Sequence, residues 1–93
     1  MTIGCLQAKL SIPDSHSLKE KRMVLKSLKD RMLNKMNVSI AETDFQDVWQ
    51  TAKIAVVTVA AEKEIVERRL SDAADFIRAT PELVLLDVMT EMI

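Results

Sequence analysis

Ninety-three residues, 48% of them hydrophobic, exclude a disordered chain and allow one domain, 1–93, with a single modest core. Thirteen basic and fourteen acidic residues leave a net charge of −1. One Cys and one His exclude an internal disulfide and a structural zinc site, and no apolar run reaches transmembrane length.

The first stretch, Thr2 to Ile12, reads as a strand. Gly4, Leu6, Ala8, Leu10 and Ile12 form its core face, alternating with Ile3, Cys5, Gln7, Lys9 and Ser11. It lacks the basic region of a signal peptide, so a cytoplasmic protein is expected. Pro13-Asp14-Ser15-His16 is a turn.

Ser17 to Met36 reads as an amphipathic helix. Ser17-Leu18-Lys19-Glu20 is a capping box, in which Ser17 accepts from the Glu20 N–H and Glu20 reaches back to the Ser17 N–H. Leu18, Val24, Leu25, Leu28, Met32 and Met36 share one side of the wheel, and Asn37 suits the position after the helix. Seven cations less two carboxylates give this segment +5, which leaves −6 for the rest of the chain. Lys19, Lys21 and Arg22 crowd the first turns, where the macrodipole disfavours cations by about 0.3–1 kcal/mol each. A helix start with free N–H groups suits an anion. His16, Lys19, Lys21, Arg22, Lys26 and Lys29 are therefore the candidate anion or nucleic-acid contacts. The bland alternative is a solvated basic face, with Lys21 lying over the core edge by its stem and the other cations paired to acids.

Val38 to Thr43 reads as a second strand, with Val38 and Ile40 inward. Asp44 to Gln50 is a polar connection carrying Phe45 and Trp49, too poor in Gly for a tight hairpin. Trp49 is expected to plug a sheet edge or an interface; exposed, it could stack on a base. Glu42, Asp44 and Asp47 match no EF-hand spacing and read as acidic partners for Lys21 or Arg22. Thr51 to Ala60 is a nearly all-apolar third strand. Glu62 to Ala79 is a second helix, with Val66, Leu70, Ala73, Ala74 and Ile77 as its stripe. Acids open it and Arg78 closes it, the dipole-matched order. Thr80-Pro81 ends it, and Leu83 to Met89 is the last strand.

Strand, helix, strand, strand, helix, strand predicts an α+β fold in which two helices cover one face of a four-stranded antiparallel sheet. Apolar residues of both parities in the third and last strands leave an apolar open face, which points to a homodimer.

The run Ile12-Pro13-Asp14-Ser15-His16-Ser17-Leu18-Lys19-Glu20-Lys21-Arg22, with Asp47-Val48-Trp49-Gln50 before an apolar strand, resembles the signature of the YlxP-like family of small bacterial proteins. Family members often carry Gly where Asp14 stands, so the loop shape is expected to differ here. The resemblance implies a ferredoxin-like βαββαβ fold. It also implies a setting near the ribosome, because the family's genes commonly lie among transcription and translation genes beside a ribosome-maturation factor.

Other families of that fold expose what is missing. The first loop has neither the Gly and Arg of an acylphosphatase nor the paired Cys of a metal chaperone. Phe45, Trp49 and Phe76 lie off the central strands, so base stacking on the sheet is not expected. His16 has no third group to orient it, and Ser17 reads as a cap rather than a nucleophile. The expectation is a non-enzymatic cytoplasmic protein, with no cofactor, metal or membrane, that contacts ribosomal RNA or the small ribosomal subunit through the first helix. A self-associating scaffold or regulatory domain using the sheet face is the alternative.

Overall fold

The alternating and 3.6-residue patterns become elements in the expected order. In the computed structural model, which describes residues 1–93, the chain runs β1 (Thr2–Ser11), α1 (Leu18–Lys35), β2 (Ser39–Asp44), β3 (Thr51–Ala60), α2 (Lys63–Arg78) and β4 (Val84–Met92). The strands form one antiparallel sheet in the order β2-β3-β1-β4. Both helices lie on one face, which is the ferredoxin-like arrangement. No helix is long and apolar enough to cross a membrane.

The even-numbered face of β1 is the centre of the core. Leu6, Ala8, Leu10 and Ile12 pack with Ala52, Ile54 and Val56 of β3, beneath Leu28 and Met32 of α1 and the α2 stripe Val66, Leu70, Ala73, Ala74 and Ile77. Each large side chain so buried contributes roughly 1.5–3 kcal/mol relative to exposure. α2 lies close to the sheet because Gly4 has no side chain. A Cβ there would come within 2.5 Å of Val66 Cγ1 and 2.8 Å of Leu70 Cδ1. α1 rides farther out, on the longer side chains of Lys21, Leu28 and Met32.

Three local features differ from the sequence pattern. β4 runs on to Met92, and a bulge at Leu86 resets its parity, so Leu83 and Leu85 face the core before it and Val88 and Met92 after it. α1 ends at Met36 in extended conformation, and Asn37 is not left-handed; Phe45, with φ 62°, is the one residue at positive φ. The Asn37 carbonyl instead accepts from the buried Thr58 hydroxyl at 2.8 Å, and that hydroxyl accepts from Arg69 Nη1 at 2.6 Å. α2 starts at Glu62 without a side-chain cap.

Candidate nucleic-acid interface

Local chemistry fixes the start of α1. Ser17 Oγ accepts from the Glu20 N–H at 3.1 Å, as its spacing predicts. The Glu20 carboxylate reaches back to the His16 N–H, one residue earlier than the usual box. A carboxylate of the chain itself therefore lies at the helix start, where an external phosphate was expected. Ser15 is buried and donates to the Ser17 carbonyl at 3.0 Å. His16 is exposed.

Lys21 departs most from the expected site. It is only 1% exposed, and its ammonium is consumed inside the protein. It donates to the carbonyls of Phe45 at 2.6 Å and Val48 at 2.8 Å. Glu42 Oε2 lies 2.8 Å away as the ion-pair partner, off the axis of a hydrogen bond, and has no other polar partner. Three oxygen atoms thus surround the ammonium, two as hydrogen-bond acceptors and one as its countercharge, which is what a buried Lys requires. Lys21 is not an anion contact. It ties α1 to β2 and to the loop 45–50. Gln50 pins the other side of that loop, donating to the carbonyls of Pro13 at 3.2 Å and Ser15 at 3.0 Å.

The remaining cations divide by helix geometry, with successive residues about 100° apart. Arg31 and Lys35 turn toward α2, with their charges 5.6 and 5.4 Å from the centre of the Phe76 ring. Lys19, Arg22, Lys26 and Lys29 form an exposed flank on the opposite side. Lys26 and Lys29 border a groove of about 280 Å³ floored by Leu25, Leu28, Ile40 and Ile54. Lys19, Arg22 and Lys29 have no ion pair. Lys26 is held by Asp30 at 2.8 Å, and the hydrogen bond and charge of that carboxylate raise its pKa above the ordinary lysine value.

The acidic residues are dispersed. Glu42 is turned to Lys21, Asp44 accepts from the Phe45 N–H, and no three His, Cys, Asp or Glu side chains gather as for a metal. Trp49 is 53% exposed and plugs no edge.

A family described as "Protein of unknown function (DUF503)" matches residues 3–90. The chain belongs to this family. The uncharacterized protein YlxP of Bacillus subtilis (strain 168) is 40% identical to it over 81 residues, covering 87% of this chain and 88% of that one. Among solved structures, the de novo designed protein Foldit4 superposes with a TM-score of 0.57 at 10% identity, covering 100% of this chain and 97% of the design. The designed protein LFR1 1 with ferredoxin fold gives 0.57 at 11% identity, covering 100% and 84%. Matches at that identity establish the fold of this DUF503 member alone.

Two lysines escaped the sequence reading. Lys9 and Lys53 stand on the open face of the sheet, directly opposite each other in register. Each is the one basic residue of its strand. Only the β1–β3 register makes them neighbours.

Proposed function

We propose that this DUF503 member is a non-enzymatic cytoplasmic accessory protein that binds ribosomal RNA, in the context of the small ribosomal subunit, through the exposed flank of α1. The carrying observation is that Lys19, Arg22 and Lys29 line one exposed helix flank without any acidic partner. Unpaired cations repeated along a rigid helix suit a phosphate backbone, which is read by charge and spacing rather than sequence. His16 stands at the margin of this flank, Lys26 joins it when released from Asp30, and Lys21 has no part in it.

Co-sedimentation with small ribosomal subunits across a salt series tests the reading. Wild-type binding is expected to weaken steeply with salt. The Lys19→Glu, Arg22→Glu, Lys29→Glu variant should lose at least about tenfold in affinity, with a salt slope shallower by about 2–3. Undiminished binding by that variant, or none by the wild type at low salt, sinks the proposal. Asp30→Asn should instead strengthen binding by about two- to fivefold at low salt, because it releases Lys26. Unchanged affinity would leave Lys26 outside the interface.

A second reading rests on the other half of the open sheet. Val57, Val59 and Ile93 are exposed there, and Ile3 is half-buried. A second copy could cover this patch. A two-fold axis along the strands between β1 and β3 would set Lys9 against Lys53 of the other copy, so pairing must be offset toward the apolar end. Light scattering on Val59→Lys beside the wild type decides: a dimer that the substitution dissociates supports self-association, and a wild-type monomer at high concentration rejects it.

A further inference from the structure

We propose that the open sheet face carries a nucleotide-binding site built on Lys9, Lys53 and Phe45. In register, Asp44 stands opposite Lys53, Lys53 opposite Lys9, and Lys9 opposite Asp87. The four form a row across all four strands, acid, base, base, acid. Like charges directly opposite each other destabilise an antiparallel pair. A row shaped for stability alone would fold each lysine onto its outer aspartate, yet neither pair forms. Each aspartate is held by the main chain instead. Asp44 Oδ1 accepts from the Phe45 N–H at 2.8 Å, and Asp87 Oδ1 from the Val88 N–H at 3.0 Å. Two ammonium groups therefore face a depression of about 240 Å³ with no anion committed to them.

Phe45 forms a wall of that depression, with Gln7 and Met89 also at its surface. Its ring centre is 5.3 Å from Lys9 Nζ. It is also the residue at positive φ, a conformation unfavourable for a bulky side chain. That conformation is stabilised from below, because the Phe45 carbonyl accepts from buried Lys21. Strain of this kind collects at ligand sites, and here it presents an aromatic ring beside the lysine pair.

The chemistry specifies a ligand with three parts. The lysine pair takes an anion the size of one phosphate. The Phe45 ring takes a planar base, while Lys9 leaves the ring for the phosphate. The free Oδ2 of Asp44 and of Asp87 accept from exocyclic amino groups. A nucleotide monophosphate with an amino-bearing base supplies all three, either free or within an RNA strand. The aspartates disfavour further phosphates and favour adenine, guanine or cytosine over uracil. The site lies on the face opposite the helices and is independent of the α1 flank.

NMR titration of the full chain with AMP, UMP and inorganic phosphate tests the site. AMP should shift the amides of Gln7, Lys9 and Lys53 saturably, with UMP about threefold weaker or more and phosphate about tenfold weaker. Lys53→Ala should weaken AMP by about tenfold, the scale of a lost charged contact. Phe45→Gly suits the positive φ and so keeps the loop while removing the ring; it should cost AMP a similar factor. The α1 triple variant should bind AMP as the wild type does. An oligoadenylate that binds at least about tenfold tighter than AMP identifies an RNA strand as the source, and equal affinity a free nucleotide; both uphold the site. No shifts at millimolar AMP overturn it. So do shifts that phosphate reproduces alone, or AMP affinity indifferent to both substitutions.

Discussion

Lys21→Met is expected to lower the unfolding free energy by about 3 kcal/mol, the lower end of the range for breaking a buried ion pair. The lower end applies because Glu42 is 23% exposed, so water reaches part of the stranded carboxylate. Two further losses accompany it. The Val48 carbonyl loses its donor, the Phe45 carbonyl keeps only the Val48 N–H at 3.0 Å, and a polar group left unpaired on burial costs about 1–3 kcal/mol unless water replaces the partner. Urea unfolding should show the midpoint falling by at least about 1 M, given slopes of 1–3 kcal/mol per M for small domains. The companion Lys21→Met, Glu42→Leu variant should recover part of the loss, because it removes the uncompensated charge. It should not recover all of it, because the Val48 carbonyl remains without a donor and the Phe45 carbonyl has lost its ammonium. A Lys21→Met protein within about 0.5 kcal/mol of the wild type would mean that Lys21 stabilises little beyond a surface contact.

The same substitution links the two faces of the domain. Lys21 draws the Phe45 carbonyl inward while the ring of Phe45 stands against Lys9 on the open face. Without the ammonium, the unfavourable φ of Phe45 is held only by the Val48 N–H on its carbonyl and by Asp44 on its N–H, and the charge-assisted bond is gone. The loop is then expected to relax, and the nucleotide site should weaken even in the folded variant. Its readout is the loss of AMP-induced shifts at Lys53 under conditions where far-UV circular dichroism remains native.

Lys21 also marks where sequence reasoning stops. β1 and α2 are legible because each has a clean period: the even-numbered set of β1, and Val66, Leu70, Ala73, Ala74 and Ile77 in α2, all of which are buried. Ser17 and Glu20 were legible because a cap is a contact between near neighbours. Lys21 reads as one more cation in a basic run, because its partners lie 21 to 27 residues away and two of them are backbone carbonyls with no sequence identity to read. The Lys9–Lys53 pair was hidden for a related reason. Alternation places each on the outer face of its strand, but their adjacency depends on the register of two strands that α1 and β2 separate in the chain. Phe45 reads as a loop aromatic off the strands, and a positive φ carries its ring to the sheet face. The end of β4 is not legible because a bulge breaks the period on which the pattern depends.

Gly4→Ala opposes two local effects that differ in sign. A glycine inside a strand forfeits about 0.5–1 kcal/mol of backbone entropy relative to Ala, so propensity alone predicts a more stable protein. Packing predicts the reverse. The new Cβ would meet Val66 Cγ1 at 2.5 Å and Leu70 Cδ1 at 2.8 Å, with Met92 Sδ at 3.3 Å behind them. Leu70 and Met92 can rotate away, but a β-branched Val in a helix has essentially one favoured rotamer. Relief therefore requires α2 to lift off β1, which loosens Ala73, Ala74 and Ile77 as well. Overpacking of this kind costs about 1–3 kcal/mol, and a net destabilisation of about 2 kcal/mol is expected from thermal unfolding. At the size of this domain that is a fall in Tm of about 8–16 °C. The Gly4→Ala, Val66→Ala pair identifies the cause. If the clash is with Val66, removing its methyl groups should restore at least about 1 kcal/mol relative to the sum of the single changes. Additive effects would place the strain elsewhere, and a stabilised Gly4→Ala protein would show that α2 yields more readily than its close packing on β1 implies.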